Sequence, residues 1–340
     1  MFPPSGRGQA EIGTSDCESV DDVLVNPPGV LVRSPNSTVI AIDIGGTKVE
    51  CGVVAPDGRV LTRSRVLTSG DDAEALFELV ASTAEQVREL AVADGTDEPV
   101  MCGVGCGGPM AGHGETVSPL NIPQWREFRL RDRLSSRLGL PTNVDNDAKA
   151  LTLAEGWIGA AVGERDFLAM VVSTGVGAGI VTDGRLLDGD GGNAGHIGHV
   201  VVVPDGRVHA GIAGTLEGEA SGTAIAAHTG RPAEEAAIDW QVRTGKLVGR
   251  AVGSVCNLLD MKLAVVAGSV ALGFGDVFFD AANDELGRVA LLDHSVGAKI
   301  VRAGLGADGP LVGAAAVGWY RSGYRLGDLQ MLAPSGSGTD

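Results

Sequence analysis

Val39-Ile40-Ala41-Ile42-Asp43-Ile44-Gly45-Gly46-Thr47-Lys48 is the stretch on which the reading of this chain turns. Its apolar, β-branched start reads as a buried strand. The strand runs into one acid, two glycines, a hydroxyl and an amine. Glycines let backbone N–H groups approach a phosphate closely. The threonine and lysine add a donor and a positive charge, and an aspartate at a strand end can hold a hydrated Mg²⁺. Two readings stay open on this segment alone: a phosphate-handling loop, or a glycine hairpin turn with a surface lysine.

The bulk composition narrows the classes. A chain of 340 residues can form two ordinary domains with a sizeable core. A net charge of −17 argues against nucleic acid as a partner, because phosphate backbones reward basic surfaces. Aromatics at 4% disfavour base-stacking surfaces. Cys17, Cys51, Cys102, Cys106 and Cys256 form no C-x-x-C pair, so a reducing, cytoplasmic setting is expected. Residues 1–13 lack the apolar core of a signal peptide, and uncharged runs such as Phe167–Thr182 fall short of a membrane span.

Residues 1–38 are rich in Pro, Gly, Ser and acids and are expected to form a disordered acidic tail, as is 327–340 to form a flexible one. Between them strand and helix patterns alternate. Strands are expected from Val39, at Glu50–Ala55, Pro99–Gly105 and Pro141–Val144, and helices at Asp72–Ala93, Leu130–Leu138 and Asp147–Ala161. The opening unit then echoes. Phe167–Val172 reads as a strand running into Ser173-Thr174-Gly175-Val176-Gly177-Ala178-Gly179, then Ile180-Val181 and the turn Asp183-Gly184-Arg185. The first unit ends likewise in Asp57-Gly58-Arg59. A further turn, Pro204-Asp205-Gly206-Arg207, follows an expected strand at Val200–Val203, since Asp-Gly is a strong hairpin signal. Duplicated strand–glycine loop–strand units predict an α/β protein of two similar lobes with a cleft between them. The expected division is 39–148 for the smaller lobe and 149–326 for the larger, the last helix packing back on the first.

Several motifs compete for the chemistry. Gly103-Val104-Gly105-Cys106-Gly107-Gly108 matches the dinucleotide-binding glycine pattern, but Pro109 and a turn-rich segment stand where that fold needs a helix. No G-x-x-x-x-G-K-[ST] sequence occurs, which argues against a P-loop enzyme. Asn146-Asp147 lies at a strand-to-helix junction, where a carboxylate can face a cleft and accept a proton, or simply cap the helix. His196 and His199 could bind metal, hydrogen-bond a polar ligand or lie at a loop surface, and Glu217 supplies a second acid downstream.

In this order the segments resemble the ROK family of sugar kinases and sugar-responsive repressors, over about residues 39–325. Asp43-Ile44-Gly45-Gly46-Thr47-Lys48 is similar to its first phosphate loop and Thr174–Gly179 to its second. Gly107-Gly108-Pro109 and Asn121-Ile122-Pro123-Gln124-Trp125 resemble its sugar-side turn and segment. Asn146-Asp147 falls on its sugar-binding and catalytic-base pair, and Ala267-Gly268-Ser269 on its adenosine-side glycines. The resemblance implies two ribonuclease-H-like lobes of the actin and hexokinase type, ATP with Mg²⁺ near Asp43, a hexose substrate and a homodimer or homotetramer. By the same resemblance Asp147 is the base. Gly108, Asn121, Asn146, His196, His199 and Glu217 hold the sugar, while Gly45, Gly46, Thr47, Lys48, Thr174, Gly175, Gly177, Gly268 and Ser269 hold the nucleotide.

The chain departs from the family at two places. Val208, Ala210 and Thr215 occupy the positions of the cysteines of a structural zinc, so no zinc is expected, since none of the three is a ligand. His196 replaces a sugar-binding glutamate, which exchanges an anion for an imidazole and bears on sugar preference. The expected reaction is phosphorylation of a hexose, foremost the 6-hydroxyl of glucose. The alternatives are a kinase for another hexose or an N-acetylated amino sugar, or a weak or inactive sugar-binding protein. A DNA-binding repressor is disfavoured by the short, acidic segment before Val39.

Overall fold

The computed structural model describes residues 37–69 and 72–331. Strands β1 (Val39–Ile44) and β2 (Lys48–Val54) pair antiparallel, with Ile44 opposite Val49, so the opening stretch is indeed a hairpin around Gly45-Gly46-Thr47. β3 (Val60–Leu67) extends it on the outer edge, where every second residue, Arg63 and Arg65 among them, faces solvent. On the other side β1 pairs in parallel with β4 (Met101–Cys106), and β4 with β7 (Thr142–Asn146). The resulting order is β3-β2-β1-β4-β7. β1 and β4 are uncharged over most of their length because helices cover both faces of the sheet. Helix α1 (Ala73–Ala93), capped by Asp72 through the Ala75 N–H at 2.7 Å, packs on β2 and β3, and α2 (Leu130–Leu138) on β7. A small hairpin, β5 (Met110–Ala111) with β6 (Thr116–Val117), follows β4.

The second sheet repeats the plan. β8 (Phe167–Val172) and β9 (Val176–Thr182) form the hairpin, β10 (Arg185–Leu186) extends it, and β13 (Leu263–Ala267) and β14 (Lys299–Arg302) continue in parallel beyond β8. Its order, β10-β9-β8-β13-β14, is position for position that of the first sheet. The sequence echo is therefore a structural duplication. A third hairpin, β11 (Val208–His209) with β12 (Ile212–Ala213), leads to α4 (Leu216–Ala220) and α5 (Gly222–Thr229). The long pair α6 (Ile238–Leu259) and α7 (Ser269–Val289) packs together in the core of the second lobe.

Between the sheets lie α3 (Asp147–Ile158) and α8 (Gly309–Arg321), packed on one another and joined by α9 (Leu326–Gln330). α8 runs along β1 and β4 and α3 along β8 and β9, so one apolar layer holding Trp157, Trp319 and Phe167 belongs to both lobes. The close approach depends on Gly103: a Cβ there would lie 2.0 Å from Ala314 O on α8. Gly103→Ala is accordingly expected to lower unfolding stability by about 3 kcal/mol. Urea denaturation of the two proteins checks this, and equal stability would mean that α8 does not rest on β4. Among the described residues no helix is long and apolar enough to cross a membrane.

Four expectations change. Val200–Val203 is not a strand: Val201 makes one isolated bridge to Thr215, and the N–H groups of Val202 and Val203 both donate to Gly214 O, which leaves no ladder. α3 stops at Ile158 rather than Ala161, because Gly159 breaks it and the Glu155 carboxylate accepts from the Ala160 N–H at 2.7 Å. The expected flexible end at 327–340 begins with helix α9, whose Leu326 and Leu329 are buried and whose Gln330 donates to Gly156 O. Ser37 and Thr38, placed in the expected tail, are buried. The rest of the expected tails, 1–36 and 332–340, lies outside the described residues.

Candidate active site

The two glycine loops open onto one cavity of about 490 Å³. Gly45, Gly46, Thr47 and Lys48 line it from the first loop, and Thr174, Gly175 and Gly177 from the second. Gly108, Asn121, Asn146, Asp147, His196 and Glu217 line the rest. The absence of side chains at the glycines is what lets these groups meet. A Cβ on Gly46 would lie 2.5 Å from Asn121 Cβ, and one on Gly177 3.1 Å from Ala148 Cβ at the start of α3. Gly108 sits between Asn146 and His196: its Cβ would fall 3.4 Å from Asn146 Nδ2 and 3.8 Å from His196 Cε1. Four candidates stand off the lining. Asp43 lies beneath Gly105, and Gly268 packs under the end of β8. The Ser269 hydroxyl shares a 2.9 Å hydrogen bond with Ser173, itself a lining residue. His199 stands behind His196, ring centroids 5.9 Å apart.

The capping role falls to Asn146, and Asp147 faces the cavity. Asn146 is the cap of α3, its Oδ1 accepting from the Ala148 N–H at 3.0 Å. Asp147 is the first helical residue, its Oδ1 also accepting from that N–H, at 2.8 Å, while the side chain stays open to the cavity. Desolvation by the cleft walls raises the Asp147 pKa above the ordinary carboxylate value, and the Ala148 N–H partly offsets the rise. Asp43 is pushed up to about 7 by desolvation and then by Asp147, with Lys48 pulling the other way. His196 is lowered by desolvation and then by His199, against Glu217 and Asp147, so it is a neutral imidazole at neutral pH. A carboxylate of raised pKa, a hydrogen-bonding imidazole and two glycine loops around one cavity suit transfer of an anionic group to a hydroxyl.

The ROK family model matches residues 39–319. The chain belongs to the ROK family. It is 37% identical over 197 residues to a glucokinase of Thermotoga maritima, covering 56% of this chain and 59% of that one. It is 34% identical over 258 residues to an N-acetylmannosamine kinase of Yersinia pseudotuberculosis, covering 69% and 84%. Among solved structures it is similar to a ROK family glucokinase from Streptomyces griseus in complex with glucose and AMPPNP: TM-score 0.71, 29% identity, 83% of this chain and 99% of that one. This ROK protein is a sugar kinase, with the two-lobed actin and hexokinase-like fold.

At the positions where the resemblance puts zinc cysteines, Val208 opens β11 with its side chain exposed, and Thr215 caps α4 by accepting from the Gly218 N–H at 3.1 Å. Among the described residues no group of three or more His, Cys, Asp and Glu is arranged to hold a metal.

The reading of the sequence missed a set of groups that hold this ROK site in shape. Lys149, two residues beyond Asp147, is buried, and its Nζ donates to Asp188 Oδ1 at 2.8 Å and Gly192 O at 2.9 Å. Arg321 on α8 completes the network, reaching Asp145 Oδ2 at 2.9 Å and Asp188 Oδ2 at 2.6 Å. Burial alone would raise the Asp188 pKa, but hydrogen bonds from Arg321 and Lys149 hold it well below the usual carboxylate range. Buried charges must be paired in this way, and the pairing ties β7, α3 and α8 to the loop carrying His196. Asn193 fastens the same loop to the first lobe. Its Oδ1 accepts from Met110 N–H at 3.1 Å and its Nδ2 donates to Met110 O at 2.9 Å. These partners are 39 to 176 residues apart, so no local spacing announces them.

Proposed function

We propose that this enzyme transfers the γ-phosphoryl group of Mg·ATP to a hexose hydroxyl, foremost the 6-hydroxyl of glucose, with Asp147 as general base. The observation that carries the reading is Asp147 itself: a carboxylate of raised pKa, open to the cavity between two glycine loops. Asn121, Asn146, His196, His199 and Glu217 orient the sugar, and Gly108 leaves room for it. Thr47, Lys48, Thr174, Gly175 and Gly177 receive the phosphates, with Gly268 and Ser269 on the nucleoside side. As the hydroxyl oxygen attacks, its proton passes to Asp147, the bond from γ-phosphorus to the bridging oxygen breaks, and ADP leaves. The Mg²⁺ that arrives with ATP would lie near Asp43 and neutralise charge on the phosphates. Little covalent work falls to the protein, and rate comes from positioning and electrostatics. A cavity of about 490 Å³ matches a small-molecule site of that kind.

A second reading concerns the sugar. His196 offers an uncharged imidazole to the substrate, and the similarity to an N-acetylmannosamine kinase supports an N-acetylated amino sugar as acceptor. ADP release measured over glucose, mannose, fructose, N-acetylglucosamine and N-acetylmannosamine separates the two. Glucose giving the highest kcat/KM supports the first reading and N-acetylmannosamine the second. Silence over the whole panel would overturn both readings.

A further inference from the structure

We propose that His209 is a positioning residue that fixes the carboxylate of Glu217 at the sugar end of the cavity; the inference rests on Glu217 contacting sugar. His209 ends β11, one residue before a turn at Ala210-Gly211 in which both residues have positive φ. Its Nε2 lies 2.9 Å from Glu217 Oε1. A carboxylate only accepts, so this nitrogen carries the proton and donates it. The other oxygen, Oε2, accepts from the Val176 N–H at 2.6 Å. The two oxygens are thus held from two sides, one by the second glycine loop and one by the hairpin. Glu217 has three rotatable bonds and sits in the first turn of a five-residue helix, which does little to choose among its rotamers.

His209 itself does not line the cavity, whereas Glu217 does. Any effect of the histidine on the sugar therefore passes through the carboxylate. The histidine is also seated rather than loose. Gly218 abuts it so closely that a Cβ there would lie 2.7 Å from His209 Cβ. Its ring is 6.2 Å from that of His199, so the two imidazoles do not share a proton. In this chain one imidazole braces the hairpin against the site, between Val208 and Ala210, neither of which can ligate a metal.

A double-mutant cycle on the full chain tests this, with glucose and N-acetylmannosamine as probes, read as sugar KM and kcat and, independently of turnover, as sugar Kd by titration calorimetry. His209→Ala should raise sugar KM and Kd about tenfold and leave kcat and the KM for ATP within about threefold. His209→Gln, which keeps a donor nitrogen, should restore the sugar values to within about threefold of wild type. Glu217→Ala should raise them about a hundredfold, and His209→Ala should then have no further effect. An undiminished His209 effect in the Glu217→Ala background would overturn the proposal. So would a loss of kcat that tracks a lowered melting temperature with sugar KM unmoved. If Glu217→Ala raises sugar KM and His209→Ala does not, the brace alone falls. If Glu217→Ala changes nothing, or neither sugar binds, the reading of the sugar site falls and the brace with it.

Discussion

Asp147→Asn is expected to bind sugar and ATP like the wild type and to turn over about a thousandfold more slowly. The substitution keeps the shape of the side chain and an oxygen that can still accept the Ala148 N–H, so the first turn of α3 survives. What it removes is the basic lone pair. A carboxylate raised in pKa is a better proton acceptor than one at its ordinary value, and an amide is none at all. The split between binding and turnover is the diagnostic: sugar Kd by calorimetry within about threefold, kcat by ADP release lower by about three orders of magnitude. A variant with near wild-type kcat would refute the assignment of the base.

The second large effect has two signs. Asp43→Asn should lower turnover about a hundredfold and, in the absence of nucleotide and Mg²⁺, make the protein more stable at pH 8. Asp43 sits at about 7 in the folded chain against an ordinary value of 3.8. The unfolded chain therefore releases this proton first as pH rises. Stability falls as pH climbs from 3.8 towards 7, and above that window the whole cost of holding the anion is present. Asparagine has no such proton. The gain at pH 8 is on the order of 2 kcal/mol, discounted for the carboxylate's partial exposure. The stability rise that the wild type shows on going from pH 8 to pH 6 should be correspondingly smaller in the variant. Urea unfolding at both pH values reads this directly. An Asp43→Asn variant less stable than the wild type at pH 8, with the pH slope unchanged, would show that Asp43 is not destabilised by its place beneath the cleft.

Much of this was legible in the chain because the decisive features are local. Val39–Val54 and Phe167–Thr182 each contain a strand, its turn and its partner within a short span, so the duplication showed before any long-range pairing was known. Asn146-Asp147 announced itself as a helix start for the same reason, and Asn146 is the residue that caps it. The segment at Val200–Val203 misled because four valines favour a strand wherever a partner exists, and here Gly214 satisfies two of its N–H groups alone. Helix α9 was missed because its five residues carry too few apolar positions for a period, although burial of Leu326 and Leu329 suffices to dock it. The Lys149–Asp188–Arg321–Asp145 network was invisible because each partner comes from a different element. Only the 2.9 Å approach of His209 to Glu217 shows that this histidine pairs with a carboxylate.

In the proposed reaction one cavity serves both a sugar hydroxyl and a nucleotide, with Asp147 between them. Quantitative phosphorus NMR of a reaction of the wild-type chain with Mg·ATP and the preferred sugar tests that most directly. The predicted result is ADP and a sugar phosphate ester, carrying phosphate on the primary hydroxyl, formed in equal amounts and only when sugar is present. ADP appearing at the same rate with and without sugar, or no ADP with any sugar that the protein binds, would contradict it.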